Sequence, residues 1–328
     1  MRLVKYFFIF CLTLNLYSQE LKELKPNYSL KANGGVTNLV LKDNLLLAST
    51  TASSVDIFDI EKRELINSIK VAKIKDFTNE TIDSKVYSTD IINDKILILS
   101  QGQNGGRNIF IHQNNKLENI ISDENRLFIA YAKFLDEENI IYALLSNQVY
   151  LYNIKEKKIL KEIQISQSSF SHFVINEKRD TIFVADESGI ISQIDIKTFK
   201  KTKSFKGQNV DRVFQVDTKK DKLITAGQDR RVVIYPLGFE KPYYLSVDFL
   251  IYSAALSPSS NKAAFCFDEE NSVAVFDTNT KQILYKLTNN KSILTNIIFV
   301  NENEIFVSSD DENINYYNLK EPKWIFQV

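Results

Sequence analysis

The sequence contains few of the residues on which reactive sites depend. Its 328 residues include two histidines, two cysteines and one tryptophan. His112 and His172 have no cysteine cluster beside them, although a zinc site needs several such ligands at one point. A serine–histidine–aspartate triad would have no nucleophile elbow, and Gly102 to Gly106 are predicted to form a turn between strands rather than a phosphate loop. We therefore expect no enzyme activity, no catalytic residue, no metal and no cofactor.

An excess of charge of one sign is also missing. Lys and Arg together number 41, and so do Asp and Glu. Proteins that bind nucleic acid usually carry a basic surplus that neutralises phosphates. We therefore expect no nucleic-acid partner.

No apolar run is long enough to span a bilayer, which takes about 20 residues. The longest begins near the N-terminus, where Arg2 and Lys5 precede an apolar run at residues 6–16 and the small residue Ser18. This order is typical of a secretory signal peptide, with a buried strand as the alternative. Cys11 lies inside the run, leaving Cys266 without a disulfide partner. We expect a soluble periplasmic monomer that does not span the membrane.

A short motif recurs along the chain, and it sets the predicted fold. Segments such as residues 55–59 and 273–277 consist of alternating apolar residues that close on Asp, Asn or a related residue. The closing positions are 59, 113, 153, 195, 236, 277 and 318, so the spacings are 54, 40, 42, 41, 41 and 41 residues. Seven copies at this period predict an all-β, seven-bladed β-propeller with four antiparallel strands per blade.

Each unit divides into four short strands with polar turns between them. In the fifth unit we expect strands at residues 210–216, 222–226, 231–235 and 243–247. The longest spacing adds residues 74–83, which we place as a loop between blades one and two.

The turns and closing strands resemble those of WD40 propellers. Residues 225–235 look like the family's small-residue turn, aspartate and closing strand, and residues 185–189 and 309–313 repeat the turn. The closing Trp-Asp pair is replaced by pairs such as Phe58-Asp59, and the Gly-His step is missing. This resemblance implies the WD40-like architecture with a weakened hydrogen-bond triad in each blade.

Two segments compete to close the ring. Residues 24–31 and residues 323–328 both read as strands, and we prefer the N-terminal one as the outermost strand of the last blade. The predicted organisation is a signal peptide at residues 1–18, an N-terminal strand at 19–33 and the propeller domain at 34–328.

Acidic clusters at residues 268–270 and 310–312 offer oxygen ligands of the kind that calcium takes. Both clusters fall where the repeat places a hairpin turn, so we interpret them as solvated turns. Quinone-dependent propeller dehydrogenases carry a tryptophan in many blades, whereas Trp324 is the only one here.

The first strand of each blade starts near the central channel, so equivalent first residues form a ring. Alignment of the repeats gives Thr37, Tyr87, Tyr131, His172, Arg212, Tyr252 and Thr295. Tyrosine and arginine are enriched at interaction hot spots. We predict that Tyr87, Tyr131, His172, Arg212 and Tyr252 bind a protein partner.

The overall plan is similar to that of the NapL accessory proteins, exported propellers encoded beside periplasmic nitrate reductase. The similarity lies in the signal peptide, the chain length, the degenerate blades and the stretch from residues 85–90 to 95–100. It implies an accessory protein that supports assembly of, or electron delivery to, the reductase. One alternative is an outer-membrane-protein assembly scaffold, which usually has a lipid-accepting cysteine at the cleavage site. Another is a propeller hydrolase or lactonase, which needs clustered carboxylates and histidines.

Overall fold

The computed structural model describes residues 21–320, and the predicted signal peptide, Trp324 and residues 323–328 lie outside this range. Within it, seven sheets of four or five strands follow one another along the chain as the blades of a β-propeller. The predicted seven-bladed, all-β fold is confirmed. No helix in the described range is long and apolar enough to cross a membrane.

Each blade is an antiparallel meander whose first strand lines the central channel and whose following strands lie successively further from it. Blade 1 comprises β3–β6, at Val36–Lys42, Leu45–Thr50, Ser54–Asp59 and Glu64–Lys70. Blade 2 comprises β9–β12, at Val86–Ile92, Lys95–Gln101, Arg107–Gln113 and Lys116–Ile121. Blade 3 comprises β13–β16, at Ile129–Phe134, Asn139–Leu144, Gln148–Asn153 and Lys158–Gln164. Blade 4 comprises β17–β20, at Phe170–Ile175, Thr181–Asp186, Ile191–Asp195 and Lys200–Phe205.

The last three blades follow the same order. Blade 5 comprises β21–β24, at Val213–Lys219, Lys222–Gly227, Arg231–Pro236 and Tyr243–Ser246. Blade 6 comprises β25–β28, at Ala254–Leu256, Lys262–Cys266, Val273–Asp277 and Ile283–Leu287. Blade 7 contains β29–β31, at Leu294–Asn301, Glu304–Ser309 and Asn313–Asn318. Short 3₁₀ turns at Gln103–Gly105 and Asp123–Asn125 lie side by side on blade 2, where Gln103 N donates to Asp123 Oδ2 at 2.6 Å.

The N-terminal segment supplies the remaining strands. Strand β2, Tyr28–Lys31, pairs antiparallel with β31 and completes blade 7 as its outermost strand. Strand β1, Lys22–Leu24, adds a parallel fifth strand to blade 6 beside β28. The ring is therefore closed by a strand from the beginning of the described chain.

Burial follows the distance of a strand from the channel. Second strands are buried along most of their length, as in β22, because neighbouring blades cover both of their faces. Outermost strands such as β16 and β20 are largely exposed and rich in lysine. Apolar side chains of successive blades share one core, for example Leu97 of blade 2 with Phe134 of blade 3.

Two local expectations need correction. Residues 74–83 are not simply a loop, because Ile74–Lys75 (β7) and Thr81–Ile82 (β8) pair as a small hairpin between blades 1 and 2. In blade 5 the first strand begins at Val213 rather than at residue 210. The backbone N–H of Val210 donates to Asp229 Oδ2 at 2.8 Å, which holds this residue in the connection between blades.

Candidate functional site at the central channel

A ring of partly exposed residues surrounds one mouth of the channel. In six blades the pairing of the first two strands skips one residue near the start of the first strand. Tyr252 holds the same register position in blade 6, next to Ser253, whose carbonyl accepts from Cys266 N. The seven residues, here called the mouth ring, are Thr37, Tyr87, Ala130, Ser171, Phe214, Tyr252 and Thr295, and all are partly exposed.

The residues predicted from sequence fall at three levels of the channel. Thr37, Tyr87, Tyr252 and Thr295 belong to the mouth ring. Tyr131 and His172 lie one position further along their strands, at the level of Asn38, and line the channel itself. Arg212 lies two positions before Phe214, in the connection from blade 4. Whether these residues bind a partner stays a prediction.

Aromatic side chains cluster at the mouth between blades 5 and 6. The rings of Phe214 and Tyr252 lie 5.1 Å apart, and Phe249 meets Tyr252 edge-on at 6.1 Å. The Arg212 guanidinium lies 5.5 Å from the Phe214 ring, an arrangement that attracts a cation to the ring face. Arg212 Nε also donates to Ser171 Oγ at 3.2 Å. The sequence did not predict Phe214 because the skipped residue shifts the register of the repeat, and it did not predict Phe249 because this residue lies in the connection between blades 5 and 6.

A second aromatic–cation contact lies in blade 2. The Arg107 guanidinium is 4.4 Å from the Tyr87 ring, and its Nη1 donates to the Gly105 carbonyl at 2.6 Å. Tyr87 is thus fixed beneath the turn at Gln103–Gly105 while its ring remains partly exposed.

Inside the channel, side chains of one blade accept hydrogen bonds from the backbone of the next. Each first strand is paired on one side only, so its remaining N–H groups need other acceptors. The acceptor and donor pairs at one level are Asn38 Oδ1 with Thr89 N, His172 Nδ1 with Val216 N, Gln215 Oε1 with Ala254 N, and Asn296 Oδ1 with Leu39 N, at 3.1–3.4 Å. One level further, Asp90 Oδ2 accepts from Phe134 N and Asp217 Oδ2 from Leu256 N, both at 2.9 Å. These contacts bind neighbouring blades around the axis.

The channel encloses a cavity of about 410 Å³ lined by the first strands of all seven blades. Tyr131 and His172 lie on its wall with ring centroids 4.5 Å apart. Burial, assisted by the nearby Lys133 ammonium, lowers the pKa of His172 to about 3, so its imidazole is neutral at physiological pH. Burial alone would lower the pKa of Lys133, but the Asp90 carboxylate, 3.6 Å away, and Tyr131 raise it to about 12.

Outside the outermost strands, exposed apolar side chains are concentrated on one face of the disc. Because the four strands of a blade alternate in direction, connections between blades and turns between second and third strands share one face, here called the interblade face. The large exposed apolar residues on this face are Phe77, Ile82, Phe128, Leu145, Val210 and Ile293. In the turns of the opposite face, among the described residues, only Phe239 is comparable. The interblade face is also the one that carries the mouth ring.

The inserted hairpin presents its aromatic residue on a turn that is closed by side-chain hydrogen bonds. Phe77 is 100% exposed at the tip. Asp76 Oδ1 accepts from Thr78 N, Thr78 Oγ1 and Glu80 N at 2.7–2.9 Å, which fixes the turn beside it. At the base, Asp83 accepts from Ser53 Oγ at 2.8 Å. The hairpin is therefore tied to blade 1.

The acidic clusters are engaged by their own turns. Asp268 Oδ1 accepts from Glu270 N and Ser272 N at 3.0–3.1 Å, and Oδ2 lies 3.0 Å from Lys286 Nζ. Asp311 Oδ1 accepts from Asn313 N and Ser309 Oγ. Across residues 21–320, no three His, Cys, Asp or Glu side chains converge in a way that would hold a metal ion.

Comparison of the sequence with protein-family models and with curated proteins finds no match.

Proposed function

We propose that this chain is an exported, non-catalytic scaffold that binds a protein partner through its interblade face. The supporting observation is that, outside the outermost strands, the large exposed apolar side chains of residues 21–320 lie on that face with the single exception of Phe239, and that the same face carries the mouth ring. Apolar surface left exposed on one face is typical of interaction sites on soluble proteins.

The proposed contact surface has two anchors. One is Phe77. Hydrogen bonds already fix the turn beside it, so little conformational entropy is lost when a partner covers the ring. The other is the aromatic cluster of Phe214, Phe249 and Tyr252 beside Arg212. Aromatic residues and arginine dominate hot spots because they bury a large area with few rotatable bonds.

The proposed partner is a subunit of a periplasmic nitrate reductase. The support for it is the resemblance to the NapL accessory proteins described above. In this proposal the signal peptide directs the chain to the periplasm, where it supports assembly of the reductase or electron delivery to it.

The partner is tested by co-purification and by genetics. We expect the tagged protein from a periplasmic extract to retain reductase subunits, and a deletion strain to reduce nitrate more slowly. Normal nitrate reduction together with no co-purified reductase subunit would reject the nitrate-reductase assignment.

The docking face is tested with two phenylalanines of equal exposure. Phe77 is on the interblade face, and Phe239, 109% exposed, is on the opposite face. We expect Phe77→Ala to weaken capture of the co-purifying partner about tenfold or more, as truncation of a hot spot does, and Phe239→Ala to leave it unchanged. Equal effects of the two substitutions would contradict the assignment of the face.

The mouth is tested with Arg212→Glu and Tyr252→Ala. Both should weaken partner capture without unfolding the chain, as monitored by circular dichroism. If both variants bind normally, the partner does not use the mouth ring, and the hairpin variant alone defines the contact.

A further inference from the structure

The blade-linking contacts in the channel leave hydrogen-bond donors facing the cavity. Gln215 and Asn296 each use the amide oxygen to accept from a neighbouring blade, so the end of the amide that remains is the NH₂ group, which can only donate. His172 uses Nδ1 in the same way, and the neutral ring therefore carries its proton on Nε2. These three donor groups make no hydrogen bond with any residue in the range 21–320.

A cation lies at the next level of the same channel. Lys133 lines the cavity, and its ammonium is 3.6 Å from Asp90 Oδ1, a separation longer than a direct hydrogen bond. Six charged side chains line the cavity, three of each sign, and they are Asp90, Lys133, Glu177, Arg179, Asp217 and Lys219. The cavity thus carries no net negative charge that would exclude an anion.

At the level of Lys133 the wall is apolar in four blades and acidic in two, where Asp90 and Asp217 accept backbone N–H groups of the next blade. The register of the first strands places Val40, Val174, Ala255 and Ile298 at the position that Lys133 holds in blade 3. All four line the cavity, and Phe299 lies beside them. Convergent polar groups beside apolar walls, in a volume of this size, are typical of small-molecule sites.

We infer that the channel binds a small carboxylate, with its anionic head held by Lys133, His172, Gln215 and Asn296 and its apolar body against Val40, Val174 and Ile298. A carboxylate offers several acceptor lone pairs and no donor, which matches a wall that presents donors. Its charge strengthens each of these hydrogen bonds. The site is separate from the proposed partner surface, because it lies within the channel rather than on the interblade face.

Isothermal titration calorimetry of the full chain with sodium hexanoate, 1-hexanol and sodium phosphate tests this site. We expect hexanoate to bind with one-to-one stoichiometry and a dissociation constant in the millimolar range or lower. Hexanol lacks the charge and phosphate lacks the apolar body, so both should bind at least about tenfold more weakly.

Gln215→Glu is the decisive variant because it changes one atom. The glutamate keeps an oxygen for Ala254 N, so the blade link remains, but it replaces the NH₂ donor with a negatively charged acceptor. Hexanoate affinity should fall more than about tenfold, since a charge-assisted hydrogen bond becomes a repulsion. Gln148→Glu, in β15 away from the cavity, is the matched control and should bind as the parent does.

Three results would overturn the inference. The first is the absence of hexanoate binding up to about 10 mM, a concentration about tenfold above the expected dissociation constant. The second is equal binding of hexanoate and hexanol, or tighter binding of phosphate than of hexanoate. The third is unchanged hexanoate affinity in a folded Gln215→Glu variant.

Discussion

The N-terminal segment closes the ring by pairing β2 with β31 of blade 7, and this pairing is here called the seam. We expect the seam to open independently of the rest of the disc. Strand β2 is held by its four-residue pairing with β31 and by two flanking hydrogen bonds, from Asn27 N to Tyr316 O and from Ala32 N to Glu312 O, both 2.8 Å. The Tyr28 ring stacks on Tyr316 at 4.5 Å. Leu30 is the strand's buried anchor, 3% exposed and packed in the core shared by blades 7 and 1.

Replacing this anchor, Leu30→Ala, should reduce the free energy of unfolding by about 3 kcal/mol. Truncation of a buried leucine to alanine costs about 2–5 kcal/mol, because apolar burial is lost and a cavity remains. The rigid second strands around Leu30 limit how far the cavity can collapse. Since about 1.4 kcal/mol is a factor of ten in an equilibrium constant, opening of the seam should become roughly a hundredfold more frequent.

Native-state hydrogen exchange and urea denaturation together measure this effect. Amides of β2 should exchange about a hundredfold faster in Leu30→Ala, while amides in the second strand of blade 3 should be protected as before. The matched control is Phe205→Ala, at the same register position of the outermost strand of blade 4 and also buried. That strand is joined to its own blade by a short turn, so its variant should lose similar stability without selective exchange in β2. Equal exchange of β2 in the two variants would refute a separable seam.

Three further predictions concern buried polar groups. Asp56 is fully buried and accepts from Asn33 N, Asn33 Nδ2 and Ser68 Oγ at 2.7–2.8 Å, so Asp56→Ala should lower the urea midpoint by the equivalent of about 2–4 kcal/mol, and Asp56→Asn by less. The folded-state pKa of His172, about 3, lies below its unfolded value, so the unfolded chain binds more protons, and stability should fall as pH drops from about 6.5 towards 3. His172→Gln should flatten that part of the stability profile, and an unchanged profile would contradict the assignment. Burial raises the pKa of the Cys266 thiol to about 12, so, with the other cysteine replaced by alanine, Ellman's reagent at pH 8 should label the protein only after denaturation.

The fold was predictable because the closing strand of each blade recurs at a nearly constant spacing. The positions from 153 to 318 recur every 41 or 42 residues, and each falls at or beside the end of a third strand. Strand beginnings were harder to place. Val210 is apolar and β-branched, which favours a strand, but its N–H donates to Asp229 Oδ2 and β21 begins only at Val213. Such a contact between distant residues leaves no periodic signal.

The channel residues were only partly predictable for a related reason. The skipped residue near the start of each first strand turns alternate side chains between the mouth and the lumen, and a shift of one position moves a residue from one ring to the other. Alignment of the repeats placed Tyr131 and His172 level with Tyr87, whereas the strand register puts Ala130 and Ser171 there. The alignment gave Arg212 for blade 5, although the register of β21 and β22 puts Phe214 in the mouth ring.

The same backbone constraint explains why the two levels of the channel differ in chemistry. The first strand of a blade leaves backbone N–H groups unpaired on its channel side. A side-chain amide, imidazole or carboxylate of the preceding blade accepts hydrogen bonds from them. Both oxygens of a carboxylate such as Asp217 accept backbone N–H groups, and a carboxylate has no donor to offer a ligand. An amide or an imidazole accepts through its one acceptor atom, and its NH₂ or N–H donor then faces the lumen, as in Gln215, Asn296 and His172. The acceptor in each blade therefore determines both the hydrogen bond between blades and the groups that face the lumen. A substitution such as Gln215→Glu can change the groups that face the lumen while it preserves the hydrogen bond between blades.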